Sequence, residues 1–325
     1  MNWKVIKKFF PIIGIGIFIY ILIKIDVTKV FEEIKNVNIY LFSIAVILTF
    51  LSLITQMLKW FILAKSQGMN IPIMKAFKIN IISYFYGFIT PAKVGNIVRA
   101  NYLKEYSGGD SSLGVTNFII DKILDLLSLV IIVVIFSFSF KNIISKNYFY
   151  ISLLFFIIFI VCIFIFKDKE RSKKILRSIY IYLIPKKIKG VLKNSFYSFY
   201  KHLPQKKYFI LFLLMNMINW IVIYLSIFFI GLSLGIQISF LKFLVIFPIA
   251  TLVGYIPITI SGIGTREVVL ISLMGIFGIE SSKVISMSIL NILIGGMIPS
   301  SIAIFLIMKK SIKKDEKDQL DNPGT

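Results

Sequence analysis

The chain has 325 residues, of which 58% are hydrophobic and only 16% are charged. A soluble globular domain has about a quarter of its residues charged, so this composition excludes an ordinary soluble domain and favours a membrane protein. The net charge of +22 lies in loops between apolar runs, without a basic groove bearing aromatic stacking positions. This distribution argues against nucleic acid as a partner and is typical of loops beside anionic lipid.

A helix needs roughly 20 apolar residues to cross the hydrocarbon layer. The apolar runs that approach or exceed this length are residues 9–25, 39–64, 111–140, 147–166, 208–232 and 283–308. The first run ends at Lys24 without a small-residue cleavage site, so we interpret it as a retained span rather than a signal peptide. The sequence therefore predicts an all-α polytopic membrane protein with about six full spans in a single domain, residues 1–310.

Two further apolar stretches, residues 75–106 and 241–279, are interrupted by proline and glycine. The segment 167–207 has thirteen basic residues against two acids, so the positive-inside rule places it in the cytoplasm with both chain termini. Counting spans from that assignment, each interrupted stretch must enter and leave on one side. We expect two re-entrant hairpins, the first entering from the cytoplasm and the second from outside, in the cell (plasma) membrane. Paired short full spans are the alternative. Residues 311–325 are expected to form a disordered cytoplasmic tail.

The first hairpin turns at Thr90 and Pro91 and continues through Gly95 and Asn96. Proline ends the incoming helix, and the N-terminus of the next helix would offer free N–H groups to an anion. Lys93, and Arg99 about two turns further on, would add positive charge, which predicts a phosphate site. The alternative is that both basic side chains extend to the cytoplasmic interface and bind nothing specific.

The span 111–140 carries Asn117, Asp121 and Asp125 at i, i+4 and i+8, which places them on one helix face. A charge at bilayer depth costs about 2.5–3.5 kcal/mol on insertion scales, so the two acids need partners or water. Candidate partners are Lys93 and Arg99 of the first hairpin and Lys59 near the end of span 39–64. A substrate site and a structural ion-pair network both fit this pattern.

The second hairpin turns at Pro257, Gly262 and Gly264, where glycine permits positive φ or close approach of backbone. Thr265 is predicted to cap the next helix, which places Arg266 and Glu267 in its first turn at membrane depth. The alternative is a tight turn with both charges exposed outside. Other polar or small residues in the apolar runs are interpreted as helix packing; they are Asn216, Asn219, Trp220, Asn291, Gly295 and Gly296.

At these positions the sequence resembles the lysylphosphatidylglycerol synthase transmembrane-region family of the flippase-like domain superfamily. The matching segments are Gly87 to Arg99, Asp121 to Asp125, Pro257 to Glu267 and Leu58-Lys59-Trp60, and the resemblance spans about residues 9–308. The chain departs from the family pattern at Asn96, where an acid is usual, and at Lys93, where arginine is frequent. The resemblance implies translocation of aminoacylated phospholipids or related polar lipids between leaflets.

The leading hypothesis is a stand-alone lipid flippase or scramblase for a polar or aminoacylated phospholipid, or a related lipid-linked headgroup. Basic residues would meet the lipid phosphate, and acids would neutralise them or receive a cationic headgroup; these six are Lys93, Arg99, Arg266, Asp121, Asp125 and Glu267. The alternatives are a membrane-embedded lipid-modifying transferase and a membrane partner of such an enzyme.

The sequence offers little support for an enzyme. Bifunctional members of the family carry a soluble aminoacyltransferase domain after the membrane region, whereas seventeen residues follow Met308 here. No nucleotide fingerprint or nucleophile–base pair occurs, and with a single cysteine, Cys162, and a single histidine, His202, no metal or other cofactor is expected. Expected partners are the lipid substrate and the membrane. A separate lipid-modifying enzyme and a second copy of the chain are left open.

Overall fold

A computed structural model describes residues 16–25, 27–139, 168–182, 186–203 and 206–321, together with Ile157 and Val161. Within these ranges all regular elements are helical, as the composition predicted. The predicted span 147–166 lies outside the described residues apart from Ile157 and Val161, as does the beginning of the span 9–25. The helical class is confirmed, whereas the number of spans stays a prediction.

In chain order the helices are α1 (residues 16–24), α2 (Val27–Lys35), α3 (Ile39–Ser66), α4 (Ile73–Phe88), α5 (Arg99–Leu103), α6 (Ser111–Ser139), α7 (Lys169–Tyr182), α8 (Lys186–Lys201), α9 (Lys206–Ser233), α10 (Phe240–Gly254), α11 (Thr265–Gly275), α12 (Ser281–Ile292) and α13 (Ile298–Asp321). Short 3-10 segments cover Val94–Val98 and Lys104–Tyr106, and a π-helical segment, Leu293–Met297, joins α12 to α13.

Three of the described helices are long and apolar enough to cross a membrane, as judged by length and composition. They are Ile39–Ser66, Tyr208–Ser233 and Ser281–Lys309, with hydropathies of 2.2, 2.1 and 2.1. Less than two-fifths of each apolar window is buried inside the protein, so most of its side chains face outward. Large apolar side chains on an outward helix face are stable in lipid, where no water has to be ordered around them.

Polar contacts join the long helices to one another. The Thr49 hydroxyl of α3 lies 2.8 Å from the Ser226 hydroxyl of α9, and Ser226 also donates to the Ala45 carbonyl at 2.8 Å. Thr55 donates to Asn219 at 2.9 Å about two turns further along. Small and hydroxyl residues of this kind let membrane helices pack closely. They fix α3 and α9 as two walls of the interior.

The helix breaks lie where the proline and glycine pattern predicted them, between Phe88 and Val94 and between Gly254 and Thr265. The tips of the two hairpins meet, because Pro91 and Ile260 form an isolated antiparallel bridge. The second hairpin is also closely packed on itself: a Cβ placed on Gly262, whose φ is +78°, would lie 2.8 Å from the Cα of Gly254 at the end of α10. Both breaks therefore lie at one place in the interior, and the faces from which the hairpins enter stay predictions.

Within the described residues, the basic segment 167–207 forms α7 and α8 and the start of α9. The final helix, α13, extends to Asp321 and so includes most of the segment 311–325 that was predicted as a disordered tail. The difference has a local cause, because lysine, glutamate and glutamine are all good helix formers that prolong an existing helix.

Candidate functional site

An ion network centred on Lys59 joins α3, α6 and the first hairpin. The Lys59 ammonium lies 3.1 Å from an Asp121 oxygen, pairs directly with Asp125, and donates to Asn216 at 2.9 Å. The Arg99 guanidinium lies 2.8 Å from the other Asp121 oxygen. Lys59 is 3% exposed and Arg99 4%, so these charges depend on one another for stabilisation.

The Arg99 side chain is held between two aromatic rings as well as by its acid. Its guanidinium carbon lies 5.2 Å from the centre of the Trp60 ring and 5.5 Å from that of Phe118. Such cation–π contacts favour a fixed orientation of the guanidinium plane. Arg99 therefore attaches the outgoing arm of the first hairpin to α3 and α6 instead of extending to an interface.

The second hairpin carries its own buried acid. Glu267 is 0% exposed; one oxygen accepts the backbone N–H of Gly264 at 2.6 Å, and the other lies 2.8 Å from the Arg266 guanidinium. Ser288 of α12 contacts both side chains. The predicted cap at Thr265 is wrong, because its hydroxyl bonds to the preceding turn and the Glu267 carboxylate caps the helix start instead. The exposed-turn alternative is also excluded by this burial.

The first turn differs from the expected anion site in its backbone. The N–H of Gly95 donates to the Thr90 hydroxyl at 2.8 Å, and those of Lys93 and Asn96 donate to carbonyls of the turn. The N–H groups of Lys93, Gly95 and Asn96 are therefore used within a tight 3-10 turn instead of being free for an anion, contrary to the prediction for this helix start. Lys93, with a left-handed φ of +54°, contributes its ammonium group and not a helix dipole.

A polar cavity of about 120 Å³ lies where the hairpin tips meet α3, α6, α9 and the π-helical segment. Its charged lining residues are Lys93, Lys122, Arg266 and Asp125. Lys122 pairs with Asp125 at 3.0 Å, one turn apart on α6. Three cations and one carboxylate thus face this space, which is large enough for several water molecules or for a phosphate group with water.

Three polar groups on the cavity wall have no protein partner among the described residues. The Lys93 ammonium forms no ion pair or hydrogen bond there, and it lies 6.0 Å from the centre of the Tyr255 ring. The Trp220 indole N–H has no acceptor although the residue is 4% exposed, and the Asn96 side-chain oxygen has no donor. Buried polar groups are normally hydrogen-bonded, so unpaired ones are potential partners of a ligand. The Trp220 and Asn96 atoms have almost no accessible surface, so a side chain has to move before a ligand reaches them.

The structure divides the predicted site residues into two groups. Lys93, Asn96, Asp125 and Arg266 line the cavity. The others lie behind it in ion pairs or form the turns; they are Lys59, Arg99, Asp121 and Glu267, and Thr90, Pro91, Gly95, Pro257, Gly262 and Gly264.

Sequence reasoning missed part of the cavity wall. Trp220, Asn219 and Asn291, which were interpreted as packing residues, line the cavity, and so does Lys122. The spacing of Lys122 and Asp125, at i and i+3, was a signal for their pairing. Nothing in the sequence distinguished Trp220 from an ordinary aromatic residue of an apolar helix.

The comparisons with known proteins agree with the helical architecture. The lysylphosphatidylglycerol synthase TM region matches residues 11–300 of the chain. A UPF0104 membrane protein of Methanocaldococcus jannaschii is 29% identical over 246 aligned residues, which cover 72% of this chain and 99% of that relative. A UPF0104 membrane protein of Pyrococcus horikoshii is 24% identical, with 93% of this chain and 97% of that relative covered. The chain is therefore a membrane protein that belongs to the lysylphosphatidylglycerol synthase transmembrane-region family.

Proposed function

We propose that the protein translocates a phospholipid between leaflets, acting as a flippase or scramblase that holds the lipid phosphate in the cavity between the hairpin tips. The observation that carries this proposal is the convergence of Lys93, Lys122 and Arg266 on one buried polar cavity. Among the described residues, the cavity and the network behind it contain five cations and three acids, the other members being Lys59, Arg99, Asp121, Asp125 and Glu267. The excess positive charge favours an anion.

A charged headgroup crosses hydrocarbon slowly because it must lose its hydration. A polar cavity at membrane depth replaces that hydration with fixed charges and hydrogen bonds. The volume of about 120 Å³ accommodates a phosphate with its immediate substituent but not acyl chains. In the proposal the headgroup passes through the cavity while the tails stay in the surrounding lipid.

The proposed topology is six full spans with two re-entrant hairpins that enter from opposite faces of the plasma membrane, and with cytoplasmic termini. The contact between Pro91 and Ile260 supports it, because hairpins of opposite origin would meet near the midplane. Substrate sites between broken helices of opposite orientation are the arrangement that allows alternating access in transporters. Separation of the tips on one side would then open the cavity to that face.

The test is lipid movement in proteoliposomes that contain fluorescent phosphatidylglycerol, measured by chemical quenching of the outer leaflet. The wild-type protein is expected to accelerate transbilayer movement over protein-free vesicles. Lys93→Gln is expected to lower the rate by about 10- to 100-fold, since a hydrogen bond to a charged group contributes about 1.5–3 kcal/mol. Because Lys93 has no protein ion pair, its replacement leaves folding intact.

The matched control is Lys104→Gln, which removes an exposed lysine from the outgoing arm of the same hairpin. It is expected to leave the rate unchanged. No acceleration by the wild-type protein would contradict the proposal. Formation of a modified lipid from charged tRNA or an activated sugar, without movement of lipid, would instead support the transferase alternative.

A further inference from the structure

We infer that the headgroup accepted by this cavity is uncharged and rich in hydroxyl groups, a polyol or sugar esterified to the lipid phosphate. The inference rests on the proposed function and specifies its substrate class. It places an aminoacylated or otherwise cationic headgroup among the disfavoured ligands.

The acids of the network are already paired with protein cations. Asp121 pairs with Lys59 and Arg99, and Asp125 pairs with Lys59 and Lys122. A cationic amino group that entered the cavity would find no free carboxylate among the described residues. It would instead approach protein cations, and like charges in a poorly solvated site repel strongly.

Glu267 of the second hairpin is likewise not free to bind a cationic headgroup. Its two oxygens are occupied by the Gly264 amide, the Arg266 guanidinium and the Ser288 hydroxyl, and the residue has no exposed surface. It lies behind Arg266, and so a ligand in the cavity meets the guanidinium first.

The unpartnered polar groups on the cavity wall favour a ligand with hydroxyl groups. An indole N–H only donates, so Trp220 requires an acceptor, whereas the Asn96 oxygen requires a donor. A hydroxyl group supplies both. Lys93 requires an anion, which the phosphate supplies. One ligand that carries a phosphate and at least two hydroxyls has the donors and acceptors to match all three groups. An ammonium group can donate to the Asn96 oxygen but cannot accept the Trp220 N–H.

The rest of the wall fits the same chemistry, because its polar residues are uncharged. Tyr84, Asn219, Thr251 and Asn291 line the cavity with hydroxyl and amide groups. Such groups recognise hydroxyls without selecting a charge, as expected for a polyol or sugar.

The test compares four lipids with the same labelled acyl chain in proteoliposomes of the full-length protein. They are phosphatidylglycerol, phosphatidylinositol, phosphatidylethanolamine and lysylphosphatidylglycerol. The first two, which carry a linear and a cyclic polyol, are expected to move at least roughly tenfold faster than the two amine-bearing lipids. Either order between the two polyol lipids supports the inference, and their ratio shows which hydroxyl arrangement fits.

The possible failures are distinguishable. If an amine-bearing lipid moves as fast as the polyol lipids, the inference is overturned and the proposed function survives. If none of the four lipids moves faster than in protein-free vesicles, the proposed function fails.

Two variants test the residues that carry the inference. Trp220→Phe removes the N–H, keeps a ring against Tyr224 and breaks no hydrogen bond within the described protein. The smaller ring leaves space beside a side chain that is 4% exposed, so a moderate fall in the thermal unfolding temperature is expected. The preference for polyol lipids is expected to fall by roughly tenfold. The control is Trp60→Phe, outside the cavity, which loses the bond to Asn80 and should lower stability while leaving the preference unchanged.

The isosteric change Asn96→Asp adds a carboxylate to the wall. The ratio of lysylphosphatidylglycerol to phosphatidylglycerol movement is expected to rise by roughly tenfold, because a cationic headgroup then has an acid to meet. If neither Asn96→Asp nor Trp220→Phe changes the lipid preference, the inference is wrong.

Discussion

Substitutions at two aspartates one turn apart on α6, Asp121 and Asp125, are expected to have different effects on protein stability and on lipid movement. Asp121 contacts Lys59 and Arg99, both almost fully buried, whereas Asp125 contacts Lys59 and Lys122 and borders the cavity. Asp121→Asn and Asp125→Asn are the same isosteric substitution on the same helix. Each removes one negative charge but leaves a different cation without an acid.

The geometry sets the expected magnitudes. After Asp121→Asn, Lys59 keeps Asp125, but Arg99 has no carboxylate within the described structure at 4% exposure. An uncompensated buried charge costs about 3–5 kcal/mol. After Asp125→Asn, Lys59 keeps Asp121, and the Lys122 side chain, which is 20% exposed, can reach cavity water. We therefore expect a loss of only about 1.5–3 kcal/mol there, the usual value of a hydrogen bond to a charged group.

The free energy of unfolding of each variant can be measured by denaturant titration in lipid bicelles, and lipid movement in proteoliposomes on the same preparations. Asp121→Asn should show the larger loss of stability. Asp125→Asn should change the movement of anionic lipid more, because it alters the charge facing the cavity. An equal or larger loss of stability in Asp125→Asn would refute the assignment of Arg99 as the dependent cation.

Further predictions concern the turn and a helix start. Gly95→Ala should destabilise the protein by about 1–3 kcal/mol and slow lipid movement, because the added Cβ would overlap the Tyr86 carbonyl. The control is Gly275→Ala, whose Cβ would meet no atom within 4 Å, and thermal unfolding measures both variants. Asp110→Ala should cost about 1 kcal/mol, since Asp110 accepts the Ser112 amide at 2.8 Å at the start of α6. Hydrogen bonds from the Ser112 hydroxyl and the Ser112 amide lower the Asp110 pKa, so this stabilisation should be full at neutral pH and disappear as the pH falls below about 4. A stability difference between wild type and variant that does not vary with pH would contradict this assignment.

The helical periodicity of the sequence was sufficient to predict that the main charged residues lie close together. Asp121 and Asp125 share one face because helical spacing is a local property, and the cost of isolated charges in lipid required a cation such as Lys59 nearby. Helical spacing did not predict which cation pairs with which aspartate. It depends on how the hairpin arm rotates against α3, which places Arg99 between Trp60 and Phe118.

The backbone of the turns was less predictable still. Proline and glycine marked both breaks, but Ala92, Lys93 and Ser261 also adopt left-handed φ values, which side-chain type alone does not indicate. These conformations direct the amides of the first turn onto Thr90 and neighbouring carbonyls. Glu267 likewise replaces Thr265 as the cap because its carboxylate reaches back over one turn. The first correction depends on left-handed residues that side-chain type does not indicate, whereas the second is a local contact between residues three apart, which the position of Glu267 could have indicated.

The central claim, that a lipid phosphate binds between the two hairpin tips, is tested most directly by an experimental density map of the protein in nanodiscs of phosphatidylglycerol. The account predicts headgroup density in the cavity, with its phosphate within hydrogen-bonding distance of Lys93 and an oxygen near the Trp220 indole N–H. Headgroup density on another face of the protein, with water alone between Lys93, Lys122 and Arg266, would contradict it.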